Sequence, residues 1–296
     1  PLSTVETAVD LPLTLAKQLN LTFHGQATPE TQLLEALADK ELLVFPIISF
    51  FASMLVFATF IVPMLLTNML ESLFGSGLSV LGIIVGLAYY SALYFVTIFA
   101  NSALVGAAMI RLEGGDPTVG DGLRIAFKHI GSIFSYAVIA ATVGLILNQI
   151  SERSGQFGKI VVGIIGFAWN VATFLVVPVL VVEGLGPIEA IKRSGALLKR
   201  TWGEQIAGNL SVGFVFGLIG FLVFLVGAVS SFLAFSLSTV LGITVVALFA
   251  ALLVIVSLIS STLSGIYKAA VYQYAISGKS GGFFDQATIE NAFKRR

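Results

Sequence analysis

The side chains with the most obvious chemical potential lie shortly before His129. Glu113, Asp116 and Asp121 precede this histidine within 16 residues. Carboxylate and imidazole groups together are common ligands of divalent metals. Basic residues are interleaved with these acids, namely Arg111, Arg124 and Lys128. Helix capping and interfacial charge therefore explain the cluster better than a metal centre, and we expect no metal and no cofactor.

Four asparagines stand within apolar segments of the chain. They could line a path for a solute, or they could bond between helices, each such bond contributing about 0.6 kcal/mol. No acid, base or histidine accompanies them in those segments, so we favour bonding between helices. The four residues are Asn101, Asn148, Asn170 and Asn209.

Nucleophilic and phosphate-binding motifs are missing. The chain has no cysteine, which excludes disulfides, thiolate metal sites and cysteine nucleophiles. No glycine-rich phosphate loop, HExxH or GxSxG pattern occurs. We therefore expect no catalytic residues and no enzymatic activity.

Charged residues are absent from long stretches. Residues 205–267 form a run of 63 residues without Asp, Glu, Lys or Arg, and shorter runs cover 42–70, 72–110, 130–151 and 160–182. A helix needs about 20 apolar residues to cross a bilayer, and a charge at its centre costs roughly 2.5–3.5 kcal/mol. The 296 residues are 57% hydrophobic and 11% charged, whereas soluble domains carry about 25% charged residues. The sequence therefore predicts an all-α, polytopic membrane protein.

The apolar runs divide into six predicted spans. They are continuously apolar rather than alternating, which favours helices over the strands of a barrel. A turn near 236–239 splits the longest run, because three spans would need about 60 residues and leave none for turns. The predicted division is a polar N-terminal extension (1–27), a six-helix transmembrane domain (28–276) and a cytoplasmic amphipathic tail (277–296). We expect the spans at about 42–66, 80–110, 133–150, 160–182, 206–230 and 240–266.

Basic residues are distributed unevenly between the two ends of these spans. With both termini inside, 14 of the 16 Lys and Arg residues fall on the inner side, Lys268 among them, and only Arg153 and Lys159 fall outside. The excess of Lys and Arg in cytoplasmic loops then predicts that both termini are cytoplasmic.

A short pattern recurs after the second and fourth spans. Residues 113–117 read E-G-G-D-P and residues 183–187 read E-G-L-G-P, an offset of 70 residues. The shared positions, Glu113 with Pro117 and Glu183 with Pro187, predict two structurally equivalent turns. We expect Glu183 to anchor its turn by accepting backbone N–H bonds from the next helix, rather than to act in catalysis.

Each repeat leads into a short amphipathic segment. In the first, Thr118 is the predicted N-cap with Asp121 at N3. In the second, Pro187 suits the first helical position, followed by an apolar stripe. That stripe comprises Ile188, Ile191, Leu198 and Trp202.

With a similar segment from residue 28, the chain would form three hairpins of spans, each preceded by an amphipathic helix. Such helices lie in the inner interface or pack as connectors over the end of the bundle. The candidate contacts to lipid headgroups or to a partner are Arg124, Lys128, Lys192, Arg193, Lys199 and Arg200.

One region supports a family resemblance. Residues 169–202 contain VPVLVVEGLGPIEAIKRSGALLKRTW, and the chain also carries Tyr94-Phe95, residues 101–104 and IYKAAVYQYA at 266–275. Over about 39–296 it resembles an uncharacterised group of bacterial six-helix inner-membrane proteins. That group is similar to the membrane domain attached to glycerophosphodiester phosphodiesterases. The resemblance implies a multi-pass protein of the inner (plasma) membrane near lipid metabolism, without the phosphodiesterase activity.

Two functions of different classes follow. We expect a non-enzymatic scaffold or accessory subunit that organises lipid or a membrane protein complex. The alternative is a transporter or permease for a lipid or apolar solute, which requires a groove or cavity in the bundle. The expected partners are membrane lipids, other membrane protein subunits or a second copy of the chain, and no nucleic acid.

Overall fold

The computed structural model describes residues 40–66, 80–200 and 202–277, with side chains except at 200–215 and 277. The helices within these residues are α1 (Lys40–Leu66), α2 (Val80–Leu112), α3 (Val119–Lys128), α4 (Ile130–Arg153), α5 (Gln156–Ala172), α6 (Val176–Val182), α7 (Pro187–Arg200), α8 (Trp202–Leu237) and α9 (Thr239–Ser277). No strand occurs in this part of the chain, which confirms the predicted all-α class there. The predicted N-terminal extension, the amphipathic segment from residue 28 and nearly all of the predicted tail lie outside the described residues.

Six segments of the described chain are long and apolar enough to cross a membrane, which indicates a multi-pass membrane protein. They are Lys40–Leu66, Val80–Leu112, Ile130–Arg153, Gln156–Val182, Phe216–Leu237 and Thr239–Ile276. The predicted number of spans is confirmed, and the turn predicted near 236–239 falls at Ser238. The sixth helix continues well beyond the predicted end at 266. Lys268 does not end it, because the turns that follow this lysine are buried against the bundle.

α2 is the central helix of the bundle. Its 33 residues correspond to about 50 Å, more than the roughly 30 Å of a hydrocarbon core. It stays unbroken, and residues 102–109 are buried on every side because α1, α3, α4, α6 and α9 pack around them. Large side chains that complete this core include Leu104, Ile133, Leu180, Ile266 and Tyr272.

α8 and α9 pack along each other, and residues 216–260 expose most of their remaining surface. Phe232 and Leu248 are examples of large apolar side chains left exposed. In water such a surface would be unfavourable, but a lipid environment accepts it. Contact between the two helices depends on close approach, as where Gly227 faces the ring of Phe249.

The fourth span is not one helix as predicted, and this is a correction. α5 ends at Ala172, residues 173–175 form a turn, and α6 begins at Val176. Pro178 has no N–H, and its ring would clash with the carbonyl four residues earlier in a continuous helix. The freed N–H of Leu175 donates to the Oγ of Ser194 on α7 at 3.0 Å. Ser194 is fully buried, so the break is closed by a side chain rather than by water.

α7 faces the bundle with a different stripe from the one predicted. Ile188 is exposed, whereas Ala190, Ser194 and Leu197 are buried at helical spacing. Ile191 is partly buried and Leu198 is buried, so those two positions agree with the prediction, and the side chain at 202 lies outside the description. Small residues face inward because α7 must approach α6 closely enough for Ser194 to reach Leu175.

α3 packs against the side of α2 and the start of α1. A Cβ at Gly122 would lie 2.5 Å from Cζ of Phe45 and 2.6 Å from the backbone oxygen of Ala103. A Cβ at Gly106 would lie 2.9 Å from Cγ2 of Ile125. Glycine is therefore required at the crossing, and Gly122 with Ala126 forms the buried face of α3.

Gly122→Ala should destabilise the protein, because its methyl group meets backbone and an aromatic ring that cannot both move away. We expect a loss of about 1–3 kcal/mol, measured as a lower thermal unfolding midpoint in detergent. Gly120→Ala on the same helix is the matched control, since its Cβ would meet only Thr118 Oγ1 at an ordinary 3.6 Å. Equal effects of the two substitutions would contradict the packing described here.

Candidate functional site

The two E-G-x-x-P turns both use a left-handed glycine. Gly114 has φ 85° and Gly184 has φ 66°, a region that side-chain-bearing residues rarely adopt. At the end of α2, the N–H of Gly115 bonds to Ile110 O at 2.9 Å and that of Gly114 to Arg111 O at 3.0 Å. These two bonds form a Schellman motif, which ends the helix and redirects the chain. We call α3, α7 and the turns at 113–118 and 183–186 the collar.

The two collar helices begin differently after the shared turn. Thr118 caps α3 in a capping box with Asp121, as predicted. The hydrogen bonds from Thr118 hold the pKa of the Asp121 carboxyl below its usual value. In the second repeat, Pro187 is the first residue of α7, also as predicted. The repeat therefore sets the direction of the chain, while each helix start uses its own capping chemistry.

Glu183 is the centre of a polar network in the collar. Its carboxylate accepts from Nε of Arg193 at 3.0 Å to each oxygen, and from the hydroxyl of Tyr272 at 3.0 Å. Tyr272 is 1% exposed and belongs to α9, whereas Arg193 belongs to α7. The predicted anchoring role thus takes a different form: side chains of two helices, rather than backbone N–H groups, hold Glu183.

Glu113 has no comparable environment, although it occupies the same place in the repeat. It is exposed. The ion pair nearest to it joins Arg111 and Asp116 at 2.8 Å, with the Asp116 side chain 95% exposed. The equivalence predicted for the two turns therefore covers their backbone and not the role of their glutamates. Pro117 is buried just before the cap of α3.

The six predicted headgroup or partner contacts have unlike surroundings. Arg124 is largely exposed and lies 3.5 Å from Asp121. Lys128, Lys192 and Lys199 are exposed, whereas Arg193 is committed to Glu183. The side chain of Arg200 lies outside the description. Three exposed lysines and Arg124 thus remain as surface charges of the collar.

His129 connects the two repeats. Its Cε1 lies 3.4 Å from the position that a Cβ at Gly184 would take. Partial burial, together with the neighbouring Lys128, lowers the pKa of His129. Protonation of His129 therefore disfavours the packing of its imidazole against Gly184. Among the described residues, no group of three or more His, Cys, Asp or Glu side chains could hold a metal ion.

A cavity of about 760 Å³ lies between α2, α4, α5, α6 and α9 and is open to the molecular surface. Its volume is within the range of about 300–1,000 Å³ that is typical of ligand sites. Polar groups enter it from α2, α4, α5 and α9, and the break in the fourth span contributes Thr173 and Phe174. The polar lining includes Tyr94, Asn101, Tyr136, Asn148, Asn170 and Lys268.

Three of the four asparagines singled out in the sequence come together in this cavity, and side-chain detail at the fourth, Asn209, lies outside the description. Lys268 also lines it, with its Nζ 5.8 Å from the ring centroid of Phe174. In the sequence, Lys268 was assigned to the inner side and no charged residue was assigned to the asparagines. The grouping of Lys268 with the three asparagines was therefore missed. One feature of the sequence could have indicated it: Ser264 and Lys268 are four residues apart and therefore share one face of a helix.

A second cavity of about 600 Å³ lies between α1, α2 and α4. Asn148 lines both cavities, and its Nδ2 donates to Oε1 of Glu152 at 2.8 Å. Aromatic rings of Phe60 and Tyr89 form another part of its wall. The two cavities therefore flank the same stretch of α4.

Comparison with known proteins gives one match. Residues 80–283 match a family described as "Family of unknown function (DUF6159)". Neither the curated proteins nor the solved structures give a match. The matched range includes both E-G-x-x-P turns and the whole lining of the larger cavity. The resemblance to phosphodiesterase membrane domains stays a prediction.

Glu183→Ala should destabilise the protein, because it leaves the buried Tyr272 hydroxyl without its acceptor. Loss of such a partner costs about 1–3 kcal/mol, and partial exposure of Arg193 places the effect in the lower part of that range. Glu113→Ala should stay within about 0.5 kcal/mol, as is usual for exposed sites. Thermal unfolding of both variants in one detergent distinguishes them. A larger effect at Glu113 would show that the network is assigned to the wrong repeat.

Proposed function

The chain belongs to this family of unknown function, and from its own geometry we propose that it binds a lipid or another amphiphilic solute within the membrane and carries it across. The single observation that supports this proposal is the 760 Å³ cavity, which holds polar groups at the depth of the spans. A tightly packed bundle would offer no such volume. The transport involves no covalent chemistry, in keeping with the expected lack of catalytic residues.

The arrangement of helices supports access to the cavity from the bilayer. α5 packs against α4 and α7, whereas α9 packs against α8 and α2. Both α5 and α9 line the cavity, and within the described residues these two helices do not pack closely on each other. We therefore place the entry of the solute between α5 and α9, where a lipid could move sideways from the bilayer without crossing water.

The broken fourth span also supports a solute site. Non-helical backbone at membrane depth is tolerated only where protein buries it or where it lines a cavity, and transporters commonly bind solutes at such breaks. Here Leu175 is buried and bonded to Ser194, while Thr173 and Phe174 face the cavity. The break thus combines a satisfied backbone with side chains available to a ligand.

Filling the cavity should abolish transport. Gly166 on α5 lines the cavity, and a Cβ there would have only Leu147 Cδ1 within reach, at 4.0 Å. Gly166→Leu should therefore occupy solute space without breaking the fold, reducing the transfer of fluorescent lipid between leaflets of proteoliposomes at least about tenfold. Gly163→Leu is the matched control on the same helix, because it is exposed, lies outside the lining and has open space around it.

Transfer that persists in Gly166→Leu, or that falls equally in Gly163→Leu, would contradict the proposal. Both variants must first elute as monodisperse protein with unchanged helical content, so that a folding defect is not read as a transport defect.

The exposed surface of the collar favours a second candidate, which is the scaffold or accessory subunit expected from the sequence. Phe127 and Ile188 are 58% and 60% exposed, beside the exposed Lys128 and Lys192. Apolar and basic side chains together suit the interface of an anionic membrane or a partner subunit. In this candidate the spans form three hairpins, and the collar lies flat on the cytoplasmic face of a bacterial inner membrane.

Changing the four exposed collar bases to Gln would test this second candidate. The variant Arg124→Gln, Lys128→Gln, Lys192→Gln and Lys199→Gln should lose a co-purifying subunit or its own dimer in mild detergent. Gly166→Leu should retain it, because the cavity lies away from the collar surface. Size-exclusion chromatography with light scattering provides the measurement. Wild-type protein that runs as a monomer with no bound subunit would contradict the scaffold.

A further inference from the structure

We infer that the solute is an anionic amphiphile, whose charged group pairs with Lys268 and whose apolar chain lies along α4. This inference rests on the proposed function, since it names the class of molecule that the cavity would bind. The argument depends on the position of one ammonium group, on the polar groups around it and on the apolar length of the cavity beyond it.

Lys268 lies deeper than the other bases near the collar. It is one helical turn, about 6 Å, further along α9 from the collar than Tyr272, which bonds to Glu183. Its Nζ lies over the ring of Phe174 and it lines the cavity. Glu183, the nearest acid in this network, is committed to Arg193 and Tyr272. Within the described part of the chain, no carboxylate forms an ion pair with Lys268.

Lys268 is also the one charged residue in the described lining of the cavity. Lys268 is partly buried. An ammonium group partly removed from water is stabilised by an opposite charge, and a ring face offsets its lost hydration only in part. A cationic solute would be repelled, and a neutral solute would leave the charge without a counterion. The electrostatics of the cavity therefore favour an anion.

Several polar groups of the lining lie near Lys268, whereas Asn148 and Ser151 lie at the other end of the lining on α4. Tyr136 lies close to Thr173, and Ser264 stands one turn from Lys268 on the same face of α9. Asn101 of α2 and Asn170 of α5 contribute amide groups to the lining. Hydroxyl and amide donors on several helices suit the multiple oxygens of a phosphate or carboxylate headgroup.

Small and apolar residues line the cavity beyond this polar end. Ala140, Gly144 and Leu147 of α4 face Val162 and Gly166 of α5. Along α4 the apolar lining extends from Ala140 to Leu147, about 10 Å at the rise of an α-helix, before the polar Asn148 and Ser151. Half of a hydrocarbon core is about 15 Å, so this stretch accommodates the first part of one acyl chain, and the rest of the chain would extend through the open side of the cavity into the bilayer.

Tryptophan fluorescence offers a direct test, because Trp169 lines the cavity and the chain contains 2 tryptophans. In full-length protein carrying Trp202→Phe, Trp169 is the single reporter. Lipids brominated on the acyl chain are titrated in detergent, comparing phosphatidylglycerol with phosphatidylcholine of the same chains. We expect the anionic lipid to quench Trp169 with at least about tenfold higher affinity. The reason is its charged hydrogen bond to Lys268, because losing such a bond weakens binding by about this factor.

Variants at Lys268 then test whether this lysine causes the preference for the anionic lipid. Lys268→Gln should bring the two affinities within about twofold, whereas Lys268→Arg should retain the preference, because it keeps the positive charge. Lys159→Gln is the matched control, since this exposed lysine lies on α5 outside the lining of the cavity. Inorganic phosphate, added alone, should not displace the brominated lipid at millimolar concentration if the acyl chain contributes to binding.

The outcomes separate this inference from the proposed function. Equal quenching by both lipids, unchanged in Lys268→Gln, overturns the anionic class while leaving lipid binding intact. Displacement by phosphate alone overturns the amphiphile in favour of a free anion. Absence of quenching by either lipid in the Trp202→Phe protein with Lys268 intact overturns the proposed function together with the inference.

Discussion

Backbone polar groups have no water to bond in the hydrocarbon of a bilayer, and this constraint governs how the bundle is assembled. The fourth span breaks before Pro178, and the break frees the N–H of Leu175. Ser194 supplies the acceptor, which requires α7 to fold back against α6 with its small residues inward. The position of α7 in turn brings Arg193 to Glu183 and thereby links the collar to α9.

Charged groups also need partners, and two of them, Glu183 and Lys268, lie at different depths in the bundle. At the collar, Glu183 is shared by a guanidinium and a buried phenol, so its charge is compensated within the protein. One turn deeper, Lys268 faces a cavity that no described carboxylate enters. A compensated charge stabilises the fold, whereas an uncompensated one creates affinity for a ligand of opposite charge. The two sites are therefore neighbours with different roles, one in stability and one in the proposed binding.

Local features of the sequence predicted local features of the structure well. The capping box of Thr118, the start of α7 at Pro187 and the turn at Ser238 depend on a few adjacent residues. The break in the fourth span could not be read in this way, because proline alone does not decide it. Pro46 and Pro63 both lie inside α1, which is unbroken. At the break near Pro178, Ser194 supplies a distant acceptor, which the residues adjacent to the proline cannot reveal.

The sequence by itself determined the helical class, the six spans and the two collar turns, because hydropathy, capping and left-handed glycines act over short stretches of chain. The tertiary structure decided which faces of the helices meet. Asn101, Asn148, Asn170 and Lys268 lie on four different helices and share one cavity. Their convergence depends on the lateral packing of apolar surfaces that look alike in sequence. The free energy that selects among such packings comes from shape, from small-residue contacts and from the few polar groups that must find partners.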